Sequence, residues 1–372
     1  MKARLTLILL LFSTAVFAQN HNHTFNRKII FPNVPGYLTL KCDLHIHTVF
    51  SDGAVWPDIR VMEAEKDGLD VISLTEHLEY QPHKADIPHP NRNRSYELAQ
   101  KLVANKPLML VHGAEITRSM PPGHNNAIFI KDANKLLKDD ALEVFREARK
   151  QGAFTFWNHP NWLSQRADGV TRLEKLHEQL IDEKLLNGIE VVNGKMYSDE
   201  AIAIALEHNL TMIGTSDVHG LIDYEYDIPH GDHRPITMVF AKDRTEDALK
   251  EALFAGRTAV WYKNTLIGKE ENIAALVMAS LKAVPRAYPK DRQVVTVSLQ
   301  NVSDAAMILK NTSEFNFHGD SDVVTVPAQG KLDIQVKTLK QLDAFDLSFE
   351  VMNTVIAPQK HLHIMLSVKP GE

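Results

Sequence analysis

Between about residue 36 and residue 260, short apolar runs alternate with longer segments of helical periodicity. This alternation narrows the possible folds more than any other feature of the chain. Strands are predicted over 38–45, 69–75, 108–113, 126–130, 153–157, 188–192, 211–215 and 236–241. Helices are predicted between them, over 57–67, 95–105, 140–151, 172–185, 199–208 and 244–255. Runs such as V-I-S-L-T and L-M-L-V-H carry almost no polar alternation, as in parallel strands buried on both faces. Repeated β-α units imply an α/β fold, and this many in one chain favours a barrel over a short open sheet. After Gly268 the pattern becomes short strands separated by polar turns, with no helical periodicity, which predicts a small all-β sandwich. The expected division is a catalytic barrel over 37–270 and a β-rich accessory domain over 271–372, with the boundary between about 268 and 292.

Histidine supplies the second constraint. There are 18, and a His-x-His pair occurs three times, at His21 and His23, His45 and His47, and His361 and His363. In T-L-K-C-D-L-H-I-H, strand alternation puts His45 and His47 on one face, at the strand end where barrel enzymes place their active sites. Two imidazoles so placed can chelate one ion, and Asp52 in the following turn can reach the same place. Similar side chains recur at other strand ends: His77 in T-E-H, His112 and Glu115 in H-G-A-E-I-T-R, His124 in P-P-G-H-N-N-A, His159 in W-N-H-P, and Asp217 and His219 in S-D-V-H-G. One such group is ordinarily a hydrogen-bonded core residue; a whole series on one rim is not explained that way. Imidazole with carboxylate suits Zn²⁺, Mn²⁺ or Fe²⁺, and the set exceeds what one ion needs, so two or three ions are implied. His21 and His23 stand in a polar tail, and His361 and His363 in the accessory domain, without such company.

Composition restricts the partners. Net charge is −6 with histidine neutral, so no basic surface argues for nucleic acid. Lys2 and Arg4 precede an apolar run over 5–12 and a Val16-Phe17-Ala18 cleavage pattern, which predicts a signal peptide over 1–18, an N-terminal tail over 19–36 and export to the periplasm. The run is too short to span a bilayer, so no stable membrane anchor is expected. Cys42 is the only cysteine, which excludes an intrachain disulfide.

The ordered set H-x-H-x4-D, E-H, G-A-E-I-T, a later histidine, N-H-P and S-D-x-H resembles the PHP (polymerase and histidinol phosphatase) family of metal-dependent phosphoesterases, over roughly residues 37–260. Within it, the chain is most similar to exported phosphodiesterases of organophosphate diesters that carry a β-rich C-terminal extension. The resemblance implies a distorted (β/α)7 TIM-like barrel. It also implies that His45, His47, Glu115 and Asp217 hold one ion, that Glu115 bridges to a second held by His124 and His159, and that Asp52, His77 and His219 hold a third. Hydrolysis of a small-molecule phosphate ester by a metal-bridging hydroxide would follow, with Glu115 and Asp217 as the catalytic carboxylates.

Around these, Arg118 is the expected grip on a phosphoryl oxygen, because a guanidinium fork matches phosphate. Asn193 and Lys195 follow a strand and are expected to reach substrate from the same rim, with Tyr197 a weaker candidate. Glu190 reads as a supporting carboxylate, and Glu76 should by alternation point away. His83, His89, His230 and His233 read as loop residues, with a lid for the first two and protonation of the leaving group for the last two as alternatives. Trp157, Trp162 and Trp261 read as packing, with a pocket for the ester's organic groups as their alternative role. A phosphomonoesterase is the alternative within this chemistry. An amidohydrolase or deacetylase would call for a bridging lysine, and no lysine stands at a matching strand end. A non-catalytic binding protein sits poorly with so complete a donor set.

Overall fold

The computed structural model describes residues 28–371; the signal peptide expected over 1–18 and the first half of the expected tail, 19–27, lie outside the described residues. The first half of the chain forms β1 (Leu38–Ile46), α1 (Pro57–Asp67), β2 (Val71–Leu74), α2 (Arg94–Val103), β3 (Met109–Ile116), β4 (Asn125–Ile128), α3 (Ala141–Gln151), β5 (Phe154–Trp157), α4 (Lys175–Asp182) and β6 (Gly188–Asn193). It continues through β7 (Met196–Tyr197), α5 (Asp199–Glu207), β8 (Thr211–Thr215), α6 (Ile222–Glu225), β9 (Ile236–Ala241), α7 (Glu246–Phe254), β10 (Thr258–Tyr262), β11 (Thr265–Ile267) and α8 (Glu270–Ser280). Local chemistry sets many of these boundaries. Pro57 opens α1 and Gly68 closes it at φ 70°. Asp140, Ser198 and Thr245 cap α3, α5 and α7 by accepting from backbone N–H groups.

β1, β2 and β3 run parallel, as do β5, β6 and β8. Two reversals interrupt the parallel sheet expected from the sequence. β4 lies antiparallel to both β3 and β5, because the stretch over 117–124 is shorter than the dozen or so residues a parallel crossover needs. β9 is antiparallel to β1 and to β10. The sheet curls until the segment after β8 meets the end of β1: the Asp217 N–H donates to the His45 carbonyl at 3.0 Å, and the His47 N–H to the Val218 carbonyl at 3.1 Å. At Gly214 in β8, a Cβ would stand 2.2 Å from a methyl of Val260 in β10, so only glycine allows this approach.

The C-terminal strands are β12 (Leu281–Pro285), β13 (Val294–Asn301), β14 (Met307–Asn311), β15 (Asn316–Phe317), β16 (Val323–Val326), β17 (Lys331–Lys337), β18 (Phe345–Val351), β19 (Thr354–Val355) and β20 (Leu362–Val368). They form two sheets, β12-β13-β17-β15 and β16-β14-β18-β20. The expected sandwich is present, and β20 alternates buried and exposed along its whole length. The stretch after Gly268 nevertheless holds a helix, α8, that the sequence reading did not find. Ile273, Leu276, Val277 and Ser280 are its buried face at helical spacing, but alanines and Met278 on the other sides blur the polar stripe. Strands β10 and β11 were also missed. β19 pairs parallel with β11, so the sandwich chain returns to the barrel sheet. One apolar cluster runs through both parts, from Ile46, Leu74 and Trp261 through Leu276 to Val297, Leu347 and Val368. Among the described residues, no helix is long and apolar enough to cross a membrane.

Candidate metal centre

Along β1, Cys42, Leu44 and Ile46 enter apolar packing, His45 and His47 turn to the donor cluster, and Asp43 pairs with Arg234; all six are fully buried. At the barrel mouth, the residues singled out in the sequence converge on Glu115 and Asp217. Glu115 Oε1 lies 2.8 Å from His124 Nδ1 and 3.7 Å from His159 Nε2. Its Oε2 lies 2.7 Å from His77 Nδ1, 3.4 Å from His47 Nε2 and 3.6 Å from His45 Nε2. Asp217 Oδ1 is 3.1 Å from both His45 Nε2 and His47 Nε2. On the outer side, Asp52 stands 3.1 Å from His219 Nε2 and 3.3 Å from His77 Nε2.

These donors form three groups compact enough to hold an ion: His45, His47 and Asp217; His77, Glu115 and His124; and His47, Asp52, His77 and His219. His47 and His77 each belong to two of them, whereas His159 stands at the margin, so the partition is less clean than the resemblance implies. Asp52 Oδ1, Glu115 Oε2, His124 Nδ1 and Asp217 Oδ1 are buried yet make no hydrogen bond of proper geometry. Buried lone pairs converging without donors are costly, and divalent cations are the partners this set fits.

The electrostatics match. Burial works against charge on His45, but Asp217, Glu190 and Glu115 outweigh it and hold its pKa well above the usual histidine value. Burial is likewise overcome at His77, raised to about 10 by Glu115 and Asp52, and at His219, raised to about 9 by Asp52 and Asp217. His47, with histidines on both sides, is pushed down by burial to about 3. Against the effect of burial, the surrounding imidazoles keep Glu115 and Asp217 well below the ordinary carboxylate range.

A layer of fixed groups holds the donors. Glu190 Oε1 accepts from His45 Nδ1 at 2.9 Å and from the Thr215 hydroxyl at 2.6 Å, and its Oε2 accepts from the His159 N–H at 2.7 Å and Asn193 Nδ2 at 2.8 Å. Glu76, expected to point away, accepts from the Ser51 hydroxyl, whose oxygen lies 3.2 Å from His47 Nδ1. Asn158 Nδ2 donates to Glu115 Oε1 at 3.1 Å; nothing in N-H-P marks that role beforehand. Arg60 of α1 donates to the carbonyls of His47, Val218 and His219, tying together the chain segments that follow β1 and β8. His159 and Asp217 sit at φ 30° and 51°, a backbone region that side-chain-bearing residues seldom adopt and that concentrates at functional sites.

Three of the expected substrate contacts do not line the metal cleft itself. Arg118 pairs with Glu79 at 3.0 Å and donates to the carbonyls of Lys138 and Asp139, because the 117–124 turn carries it outward from β3. Asn193 is buried and donates to Glu190 and Asp217 rather than facing the cleft. Lys195 is exposed beyond the rim and does not line the cleft. His112 stacks on Tyr96 at 4.0 Å, behind the sheet. His89 is buried and contacts the Phe50 carbonyl, and His233 stacks on Trp261 at 3.4 Å. The cleft itself has a volume of about 220 Å³, and besides histidines and carboxylates it is lined by Trp162 and Met196.

Comparison with known proteins gives the family. An Ig-like domain model, DUF5001, matches residues 281–367, ten residues inside the boundary expected from the sequence and just after α8. No curated protein matches. A crystal structure of a two-domain protein from Bacteroides vulgatus, described as containing a predicted PHP-like metal-dependent phosphoesterase, is 43% identical, with a TM-score of 0.86 over 92% of this chain and 98% of that one. A putative metal-dependent phosphoesterase from Bifidobacterium adolescentis is 16% identical, with a TM-score of 0.40 over 50% of this chain and 90% of that one. An amidohydrolase from Chromobacterium violaceum, solved with sulfate and no metal, is 18% identical, with a TM-score of 0.35 over 48% and 87%. With a near-full-length relative at that identity and a rim of convergent imidazoles and carboxylates, the chain belongs to the PHP-like metal-dependent phosphoesterases and carries an Ig-like C-terminal domain.

Proposed function

We propose that the protein is an exported phosphodiesterase that hydrolyses small phosphate diesters with two or three divalent ions. The observation that carries the reading is a cleft crowded with ion-holding groups but lined, among the described residues, by no lysine or arginine. A monoester dianion calls for extra cationic side chains, whereas a singly charged diester does not. Arg118, the one nearby guanidinium expected to serve, is committed to Glu79.

In this reading His45, His47, Glu115 and Asp217 hold one ion, Glu115, His124 and His159 a second, and Asp52, His77 and His219 a third. The mixed nitrogen and oxygen donors suit Mn²⁺, Zn²⁺ or Fe²⁺. When bound, such ions neutralise the phosphoryl charge and supply an acidified water as nucleophile. The chain's own part is orientation. Glu190 keeps the proton on His45 Nδ1 and leaves Nε2 facing the centre, while Asn158 and Asn193 steady the carboxylates of Glu115 and Asp217. Export is supported by the basic and then apolar N-terminus.

Metal analysis of active protein, with assays on bis(p-nitrophenyl) phosphate and p-nitrophenyl phosphate, tests the proposal. Faster turnover of the diester is expected. Equal or faster monoester turnover defeats the diester reading, and full activity without a transition metal defeats the metal reading. For export, the protein recovered from the periplasm should begin near residue 19.

A further inference from the structure

At about 220 Å³ the metal cleft is smaller than the roughly 300–1,000 Å³ usual for small-molecule sites. It does not end at its own walls. A second groove of about 510 Å³ adjoins it, and His124 and Trp162 line both. Trp162 is 36% exposed, and its ring lies 5.6 Å from the His124 ring and 5.1 Å from the His159 ring, at the edge of the donor cluster. The turn that carries it is fixed: the Trp162 N–H donates to the His159 carbonyl at 2.9 Å, and the Trp162 carbonyl accepts from the Gln165 and Arg166 N–H groups.

Apart from Met120, the rest of the groove is polar. Ser119 and Ser164 are exposed, and Gln165 Nε2 donates to the Arg118 carbonyl at 3.0 Å, which ties the two walls together. Arg118 is itself immobilised by Glu79. An indole beside hydroxyl, amide and guanidinium groups suits a ring that offers a flat or apolar face and a hydrogen-bonding edge.

We propose that this groove binds the retained alcohol of the substrate, and that Trp162 determines specificity by stacking on a ring with hydroxyl or amide edges, as in a nucleoside or a sugar. The assignment rests on the phosphodiesterase reading above and adds to it the class of ester substituent.

The test keeps one leaving group and changes the retained alcohol, using thymidine 5′-(p-nitrophenyl phosphate), glucose 6-(p-nitrophenyl phosphate) and methyl p-nitrophenyl phosphate with metal-loaded full-length protein. At least one ring-bearing diester should exceed the methyl diester in kcat/KM by tenfold or more, and whichever does so identifies the nucleoside or the sugar as the ligand. Trp162→Ala should shrink that ratio at least tenfold, mainly through KM, and Trp162→Phe should restore most of it. No preference for either ring, or an equal loss by Trp162→Ala on ring and methyl diesters, overturns the assignment while leaving phosphodiesterase activity intact. Failure to hydrolyse any of the three would instead count against the phosphodiesterase reading itself.

Discussion

Replacing Glu190 by glutamine tests how the centre is held, because it changes one atom of a buried side chain and leaves its volume unchanged. Both carboxylate oxygens are occupied by donors: His45 Nδ1 and the Thr215 hydroxyl on one, the His159 N–H and Asn193 Nδ2 on the other. A glutamine NH₂ cannot face the His159 N–H, which is only a donor, so it must turn toward His45. His45 can accept there only by moving its proton to Nε2, the nitrogen that faces Glu115 and Asp217. The lone pair for the ion is then lost. Removing such an orienting partner typically weakens metal affinity 10–100-fold, or about 1.4–2.7 kcal/mol. Competition with a chromophoric chelator should show this weakening for one ion, with the others nearly unaffected and the far-UV spectrum unchanged. If Glu190→Gln binds every ion within twofold of the parent protein, Glu190 does not set the His45 tautomer and the argument fails.

Metal affinity should rise with pH. His77 and His219 stay protonated up to about 10 and about 9 without ions, and an imidazole must be neutral to ligate, so uptake displaces protons below those values. Calorimetric titrations in buffers of different ionisation enthalpy should count about one proton per displaced imidazole, and zero release between pH 6 and 8 would contradict this. Arg234→Met should destabilise the protein by about 3–5 kcal/mol in urea unfolding, because it removes the buried guanidinium that pairs with Asp43 and Asp67 at 3.1 and 2.7 Å; a loss under 1 kcal/mol would show that the pair is dispensable. The shared core and the β11–β19 pairing predict one cooperative transition for the described chain, so two well-separated calorimetric peaks would show that the barrel and the Ig-like domain unfold independently.

Much of the donor set was legible because its signals are local. His45 and His47 share a face through two-residue alternation, and the others announce themselves at strand ends, where only the strand pattern is needed to place them. Glu190 was legible as a carboxylate near the rim but not as the partner of His45, which lies 145 residues away in sequence. Asn158 carried no signal, since an asparagine next to a histidine is common in turns. Arg118 stands outside the metal cleft because Glu79 and two carbonyls hold its terminal nitrogens, a pairing no local pattern shows. Helix α8 was hidden because its outer side is nearly as apolar as its buried face.

By itself the sequence determined an α/β barrel followed by a β-sandwich, and a rim rich in metal-binding side chains, since hydrophobic period and strand position are properties of short segments. Only the tertiary structure decided which donors meet, that β4 and β9 reverse, that the sandwich shares a core with the barrel, and that the metal cleft opens beside Trp162 into a second groove. Those outcomes depend on closing the sheet, which brings the segment after β8 against the end of β1. No local pattern encodes contacts between segments so far apart.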